Sequence, residues 1–119
     1  MPDPASSSCR PGDVLDSLEG VIASRKGGSP DRSYTSRLLA GGVAAIGAKV
    51  TEEAEEVVRA AAGETDDRVV AEAADLVYHL LVLLAARDVP LERVGAELAR
   101  RFGTSGLAEK AARSAGGAS

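Results

Sequence analysis

Hydrophobic positions recur at helical spacing through most of the chain, and they predict four helices and no strand. Apolar residues return every three or four positions, which is the period of a helix with one buried face. The predicted helices cover about 13–25, 34–62, 66–87 and 91–102. Because no segment alternates apolar and polar residues, we expect an all-α fold, a small bundle of four to five helices.

Residue types at the segment ends agree with these boundaries. Asp13 is expected to cap the first helix, and Asp66 or Asp67 the third. Gly63 indicates the end of the second helix, and Pro90 suits the first turn of the fourth. The second helix contains glycines at 41, 42 and 47, each costing about 1 kcal/mol relative to alanine. It is therefore either continuous or broken near 41–42 into two helices.

The pattern predicts one domain over residues 13–113, between a disordered leader at 1–12 and a disordered tail at 114–119. From 80 to 86 the third helix is apolar on all sides. A bundle this small cannot easily cover such a helix, so we expect a second copy of the chain to complete it as a homodimer.

Composition and charge narrow the classes of function. Apolar residues make up 45% of the chain with no Trp and one Phe, which favours a core of Leu, Val and Ala. A net charge of −4 without a basic cluster argues against nucleic-acid binding. Cys9 is the only cysteine, which fits a reducing cytoplasm. No secretory segment is recognised, and the longest uninterrupted apolar run is too short to span a membrane.

Acidic residues at helical spacing are the strongest sign of chemistry. Five of them lie on two successive helices, and on each helix they share one face. The first helix carries Glu52, Glu53 and Glu56, and the next carries Glu72 and Asp75. Lys49 joins the first group, and His79 continues the line of the second. Like charges stacked this way repel one another, and carboxylate oxygens suit a hard cation such as Mg²⁺ or Mn²⁺. The alternative is a solvated acidic surface.

The pattern Glu52-Glu53-x-x-Glu56, fifteen residues, then Glu72-x-x-Asp75 resembles the signature of the all-α nucleoside-triphosphate pyrophosphohydrolases, the MazG-like superfamily. Further blocks are similar to the phosphoribosyl-ATP pyrophosphohydrolases of histidine biosynthesis. These blocks are Ser33-Tyr34-Thr35, Asp75-Leu76-x-Tyr78-His79 and Arg100-Arg101-Phe102-Gly103. The resemblance covers about residues 13–113. Thr51, where that family usually has Gly, and the polar leader depart from it.

The resemblance implies Mg²⁺-dependent hydrolysis of phosphoribosyl-ATP to phosphoribosyl-AMP and pyrophosphate. The expected metal ligands are Glu53, Glu56, Glu72 and Asp75. Glu52 either joins them or orients or deprotonates the attacking water, so Glu52 and Glu53 are the candidate catalytic residues. The candidate substrate-binding residues are Lys49, Arg32, Ser33, Tyr34 and Thr35.

Each of the other assignments has a structural alternative. Lys49 could simply pair with Glu53 one turn on, and residues 32–35 could be no more than a helix start. The glycine-rich loop before them could cradle phosphates or merely connect two helices. His79 is expected to hydrogen-bond a ligating carboxylate, unless it is a histidine satisfied within the core.

Three functions remain open at this stage. The family enzyme is often fused to phosphoribosyl-AMP cyclohydrolase, whose metal site uses cysteines. This chain is too short for that second domain and has only Cys9, so we expect a monofunctional enzyme. The first alternative is a house-cleaning pyrophosphohydrolase acting on free nucleoside triphosphates through the same metal site. The second is a non-catalytic helical dimerisation module with an acidic surface.

Overall fold

The computed structural model describes residues 9–103, and every regular element in that range is helical. The elements are α1 (Pro11–Arg25), α2 (Tyr34–Gly63), α3 (Asp66–Ala86), α4 (Leu91–Leu98) and a π-helical turn (Ala99–Gly103). The predicted all-α class and four helices are confirmed. The predicted tail and residues 1–8 of the predicted leader lie outside the described residues.

The described residues divide into two compact units, one that ends at Val89 and one that begins at Pro90. In the first unit α2 and α3 pack against each other, and α1 lies against both of them. In the second unit α4 continues into the π-helical turn, where Arg100 and Arg101 donate hydrogen bonds to Glu97. These two guanidinium groups lower the pKa of Glu97 to about 2. The arginines are thus engaged in local ion pairs.

Two helix starts differ from the prediction. Helix α1 begins at Pro11 with Arg10 as N-cap, so Asp13 lies in the first turn and is not the cap. Proline suits this position because its missing N–H would have no partner there. Helix α3 is capped by Thr65, whose hydroxyl accepts a hydrogen bond from the Arg68 N–H. The two predicted aspartate caps therefore belong to the first turn of α3.

The other ends lie close to their predicted positions. Gly63 is the last residue of α2, and a two-residue connection joins α2 to α3. Pro90 is the N-cap of α4, one position before the first turn. It still ends the preceding turn, since proline offers no N–H to continue a helix.

Helix α2 is kinked at Gly42, whose φ of 85° and ψ of 176° are not helical. This combination is accessible in practice only to glycine. The kink gives α2 a short segment before Gly42 and a long one after it. A break at this point was one of the two predicted possibilities.

The first unit has a small aliphatic core, to which all three of its helices contribute. The buried apolar residues are Ile22 from α1, Ile46 and Ala60 from α2, and Leu81 and Val82 from α3. Helix α3 is long and apolar enough to cross a membrane by length and composition alone. The same helix packs against α2 and buries the polar residues Glu72 and His79, while only 22% of its apolar stretch is buried within the described chain.

Candidate active site

Helices α2 and α3 bring three carboxylates together. One oxygen from each of Glu53, Glu56 and Glu72 lies within 4.8 Å of the other two. These three residues are called the carboxylate cluster below. Asp75 is exposed and outside this distance, although its charge acts on Glu53 and Glu72. Two of the four predicted ligands thus come from α2 and one from α3, while Asp75 stands at the edge.

Burial of Glu53 and Glu72 follows from heptad spacing on the two helices. Ile46, Glu53 and Ala60 are seven residues apart and are all buried, so one stripe of α2 faces the core. Glu72 and His79 are likewise seven apart and buried on α3. Glu53 therefore lies within the core-facing stripe of α2, and the alternative of a solvated acidic surface does not describe it.

Two oxygens of the cluster are buried and have no hydrogen-bond partner among residues 9–103: Glu53 Oε2 and Glu72 Oε2. The other oxygen of Glu72 accepts a hydrogen bond from Arg68 Nη2. An unpartnered buried carboxylate oxygen is costly. The cluster is therefore short of positive charge and of donors.

The electrostatic cost appears as raised pKa values. Burial raises the pKa of Glu53, and the charges of Glu56 and Asp75 add to this effect. The pKa of Glu72 is raised first by the Glu56 carboxyl group, with which Glu72 can share a proton once one of the two is protonated, then by burial and by the charge of Glu56. Arg68 offsets only part of the rise in Glu72. Both acids favour the protonated form more than an exposed glutamate does.

Lys49 borders the cluster on the side of Glu53. Its Nζ lies 3.5 Å from Glu52 Oε2 and 3.9 Å from Glu53 Oε1. The negative charge of Glu52 is the main cause of the raised pKa of Lys49, and an electrostatic interaction with the Tyr34 side chain adds to it. Glu52 is exposed and is not a member of the cluster. The salt bridge to Glu53, an alternative at the sequence level, is thus present together with one to Glu52.

His79 is buried and fully engaged. Its Nδ1 lies 2.8 Å from the main-chain oxygen of Asp75, which can only accept, so Nδ1 carries the proton. Its Nε2 therefore accepts the hydrogen bond from the Tyr34 hydroxyl, 3.0 Å away. Its contact with Asp75 runs through the main chain and not through the carboxylate, contrary to the expected hydrogen bond. The alternative of a satisfied core histidine describes these contacts.

The predicted substrate-binding residues at the start of α2 are divided in their contacts. Ser33 is the N-cap, accepting a hydrogen bond from the Ser36 N–H at 3.1 Å, and Arg32 is exposed. The Thr35 hydroxyl is hydrogen bonded to that of Tyr78. The Tyr34 and Tyr78 rings stack 6.3 Å apart with an interplanar angle of 22°. Residues 33–35 thus form a helix start whose aromatic ring reaches α3.

The glycine-rich loop between α1 and α2 uses its lysine for structure. Lys26 Nζ donates to the main-chain oxygen of Ala85, 2.9 Å away, and pairs with Asp88. These contacts satisfy groups at the end of α3. The plain connection, one of the two sequence-level alternatives, accounts for this lysine.

Two arginines beside the cluster were missed at the sequence level. Arg59 and Arg68 line one cavity with Glu56, Glu64 and Glu72. The spacing of Arg68 from Glu64 and Glu72, four residues on either side, was the available signal. Arg59 follows Glu56 by three residues on α2, so the same kind of spacing placed it on the face of the cluster. Only the packing of α2 against α3 brings it to the cavity shared with Arg68.

Comparison with known proteins identifies the family. Residues 15–102 match the sequence model described as phosphoribosyl-ATP pyrophosphohydrolase. The chain belongs to that family. A protein of Trichlorobacter lovleyi, named phosphoribosyl-ATP pyrophosphatase, is 62% identical over 84% of this chain and 93% of its own. Proteins of the same name from Novosphingobium aromaticivorans and Rhodospirillum rubrum are 54% and 53% identical, covering 87% and 92% of this chain and 96% and 95% of their own lengths.

For a phosphoribosyl-ATP pyrophosphohydrolase, the carboxylate cluster is the natural place for a cation. Its donors are all carboxylate oxygens, which suit Mg²⁺, Mn²⁺ or Ca²⁺ better than a softer metal. The two unpartnered oxygens of Glu53 and Glu72 point to a missing positive charge. The residues present therefore fit a hard divalent cation.

The raised pKa values of Glu53 and Glu72 predict that the metal-free protein becomes less stable as pH rises. In the unfolded chain the glutamates titrate near 4.5. Below that pH both states are protonated and folding carries no penalty; the penalty grows as pH rises above 4.5 and becomes constant once pH exceeds the raised folded values. We therefore expect the melting temperature in EDTA to fall as pH is raised from about 5. Saturating Mg²⁺ should flatten this slope, and Glu53→Gln should reduce it; an EDTA slope unaffected by either change would contradict the prediction.

Proposed function

We propose that this chain hydrolyses phosphoribosyl-ATP to phosphoribosyl-AMP and pyrophosphate, the second step of histidine biosynthesis. The observation that carries the proposal is family membership across residues 15–102, with relatives of that name aligned over more than nine-tenths of their length. The carboxylate cluster supplies a site with chemistry suited to a polyphosphate substrate.

Glu53, Glu56, Glu72 and Asp75 would hold Mg²⁺, with Mn²⁺ as a substitute. Glu53 and Glu72 each offer a buried oxygen that has no partner within residues 9–103, and one oxygen of Glu56 lies within 4.8 Å of an oxygen of each. Asp75 is one turn from Glu72 on α3, and its charge already acts on Glu53 and Glu72, so it would be the fourth ligand. Bound Mg²⁺ screens the phosphate charge and lowers the pKa of a coordinated water.

Glu52 has a role apart from ligation. Its carboxylate is exposed and borders the cluster through Lys49, so it can accept a hydrogen bond from the attacking water and take its proton. The water oxygen forms a bond to phosphorus while the bridging bond between the α- and β-phosphates breaks. Glu53 would hold the metal ion next to the attacking water, because its part of α2 is packed into the core.

Substrate contacts are assigned to the end of the site nearest Lys49. Its ammonium group is held by Glu52 and Glu53 at the edge of the cluster, where a phosphate oxygen could replace one of these partners. Tyr34 lies beside it, hydrogen bonded to His79. Arg32, Ser33 and Thr35 precede or flank this ring and would contact the ribosyl phosphate. His79 would act by orienting Tyr34.

A homodimer would cover apolar side chains that the described chain leaves exposed. On α2 and α3 these are Val43, Val58, Val70, Val77 and Leu80, with exposed fractions between 37% and 69%. Pairing two copies through these helices would remove that surface from water. Sedimentation of a monomer at micromolar concentration would contradict the dimer.

A cytoplasmic location agrees with the proposed enzyme. Cys9 is a free and exposed thiol, which a reducing compartment preserves. The apolar helix α3 carries two members of the proposed site, Glu72 and Asp75, and these need access to a charged soluble substrate.

The deciding assay is release of pyrophosphate from phosphoribosyl-ATP, with Mg²⁺ and with EDTA, beside ATP and dCTP. We expect strong release from phosphoribosyl-ATP in Mg²⁺ and almost none from either simple triphosphate. Release from ATP or dCTP instead would identify a house-cleaning enzyme with the same metal site. No release from any of the three would reject the enzyme and favour a dimerisation module.

A further inference from the structure

A cavity of about 220 Å³ opens beside the carboxylate cluster, at the end away from Lys49. Its lining combines two cluster members with two arginines: Glu56 and Glu72, and Arg59 from α2 with Arg68 from α3; Glu64 completes the wall. Arginine side chains from both helices therefore converge next to the proposed metal ligands.

Arg68 has unused hydrogen-bonding capacity. Its Nη2 donates to Glu72 and its Nε donates to Glu64 Oε1 at 3.3 Å. A guanidinium group has five N–H donors, so three remain without a partner among residues 9–103. The side chain is 56% exposed, so its unused donors are open to solvent. Its ion pair with Glu64 is exposed on both sides and contributes little to stability, whereas its pair with the buried Glu72 offsets part of the cost of burying that carboxylate. The remaining donors of Arg68 have no such structural use among the described residues.

Arg59 is freer still. No carboxylate among the described residues lies within ion-pairing distance of its guanidinium group, although Glu56 and Glu64 line the same cavity. An arginine without an ion-pair partner that lies beside a second arginine is available to bind an anion. Planar guanidinium groups bind phosphate oxygens in pairs, which makes two arginines well suited to a diphosphate.

The two ends of the cluster differ in chemistry. Lys49 and Arg59 are ten residues apart on α2, about 15 Å by the helix rise, with Glu53 and Glu56 between them. At the Lys49 end Tyr34 adds an aromatic ring, stacked on that of Tyr78. Among the described residues, no aromatic side chain lines the cavity that contains Arg59 and Arg68. The end with Lys49 and Tyr34 therefore suits a nucleotide base, and the end with Arg59 and Arg68 suits a charged group without a ring.

We propose that Arg59 and Arg68 bind the pyrophosphate half of the substrate, leaving the phosphoribosyl-adenosine half at the end of Lys49 and Tyr34. This inference rests on the proposed function for the identity of the substrate. It assigns a direction to the substrate along α2, with the α–β bond over the carboxylate cluster. Arg68 keeps its contact with Glu72 and offers its remaining donors to the leaving group.

Calorimetry of each product separately tests this direction. Inorganic pyrophosphate and phosphoribosyl-AMP are titrated into the full chain at Mg²⁺ concentrations that saturate each variant. We expect Arg59→Gln and Arg68→Gln each to weaken pyrophosphate binding about tenfold, the usual cost of losing a charge-assisted hydrogen bond. Their affinity for phosphoribosyl-AMP should stay within about twofold of the parent, and Arg59→Lys should recover part of the lost pyrophosphate affinity.

Arg87→Gln is the matched control. Arg87 is exposed and caps the C-terminal end of α3, about 28 Å along the helix from Arg68. Pyrophosphate binding unchanged in both arginine variants, or weakened equally in the control, would overturn the proposal. Weakened phosphoribosyl-AMP binding in place of pyrophosphate would overturn it too, by reversing the direction. If phosphoribosyl-ATP is not hydrolysed while pyrophosphate binding still depends on the two arginines, the proposed substrate is rejected. The assignment of Arg59 and Arg68 to pyrophosphate binding is then retained.

Discussion

Replacing Glu53 by glutamine should lower phosphoribosyl-ATP hydrolysis about 10³-fold while making the metal-free protein more stable. The activity should fall because Glu53 is the most enclosed candidate ligand on α2, and a metal ion is worth several kcal/mol to phosphoryl chemistry. Metal-induced stabilisation should disappear with it, so the melting temperature in Mg²⁺ should approach that in EDTA.

The gain in stability has a separate cause. Glu53 is only 7% exposed, and its Oε2 has no hydrogen-bond partner among the described residues. Glutamine keeps the shape, removes the buried charge and can donate to the neighbouring carboxylates. We expect about 1 kcal/mol of added stability in EDTA, or a rise of roughly 3–6 °C in melting temperature.

Glu55→Gln is the matched control for this variant. Glu55 lies on the same turn of α2 but is exposed and outside the cluster. Its replacement should leave both hydrolysis and the response to Mg²⁺ unchanged. Parent-like activity in Glu53→Gln would remove Glu53 from the metal site. A loss of stability in EDTA would show instead that its carboxylate contributes favourably to the fold.

The candidate site was only partly predictable from the sequence, because its burial depends on how the two helices pack. Spacing along each helix identified Glu53, Glu56 and Glu72 as candidates, because residues three and four apart share a face. Spacing on one helix does not define how that face meets its neighbour. The structure buries Glu53 between Ile46 and Ala60 and leaves Asp75 exposed, and both outcomes follow from the packing of α2 on α3.

Contacts between distant positions were beyond the sequence pattern for the same reason. Tyr34 and His79 are separated by 45 residues, and their hydrogen bond depends on the direction of α2 before Gly42. Helix class and most boundaries were more accessible, since periodicity and end residues act locally. Thr65 shows the limit of local signals: three polar residues in succession could each cap α3, and the first one does.

Gly42 links the fold to the site and gives the second large effect. Gly42→Ala should destabilise the protein by about 1–3 kcal/mol, because a φ of 85° with a ψ of 176° is strained for any residue with a Cβ atom. The melting temperature should fall by roughly 5–15 °C. Space is not the cause: a Cβ atom built at this glycine meets no other group within 4 Å.

Gly47→Ala provides a control of opposite sign within the same helix. Gly47 has helical geometry and no atom within 4 Å of an added Cβ, so alanine should stabilise the protein by about 0.5–1 kcal/mol. Thermal unfolding of both variants in EDTA measures the difference. Equal stability of the two would mean that the kink is not required.

The kink should also be visible in substrate binding. The segment of α2 before Gly42 carries Tyr34 to His79 and Thr35 to Tyr78. If Gly42→Ala relieves its strain by straightening the helix, both contacts are lost while Glu53 and Glu56, in the longer segment, stay in place. We therefore expect KM for phosphoribosyl-ATP to rise more than kcat falls, with Mg²⁺ affinity nearly unchanged. A proportionate loss of Mg²⁺ affinity would instead mean that the two segments of α2 move together, and the kink would then support the metal site and not the substrate contacts.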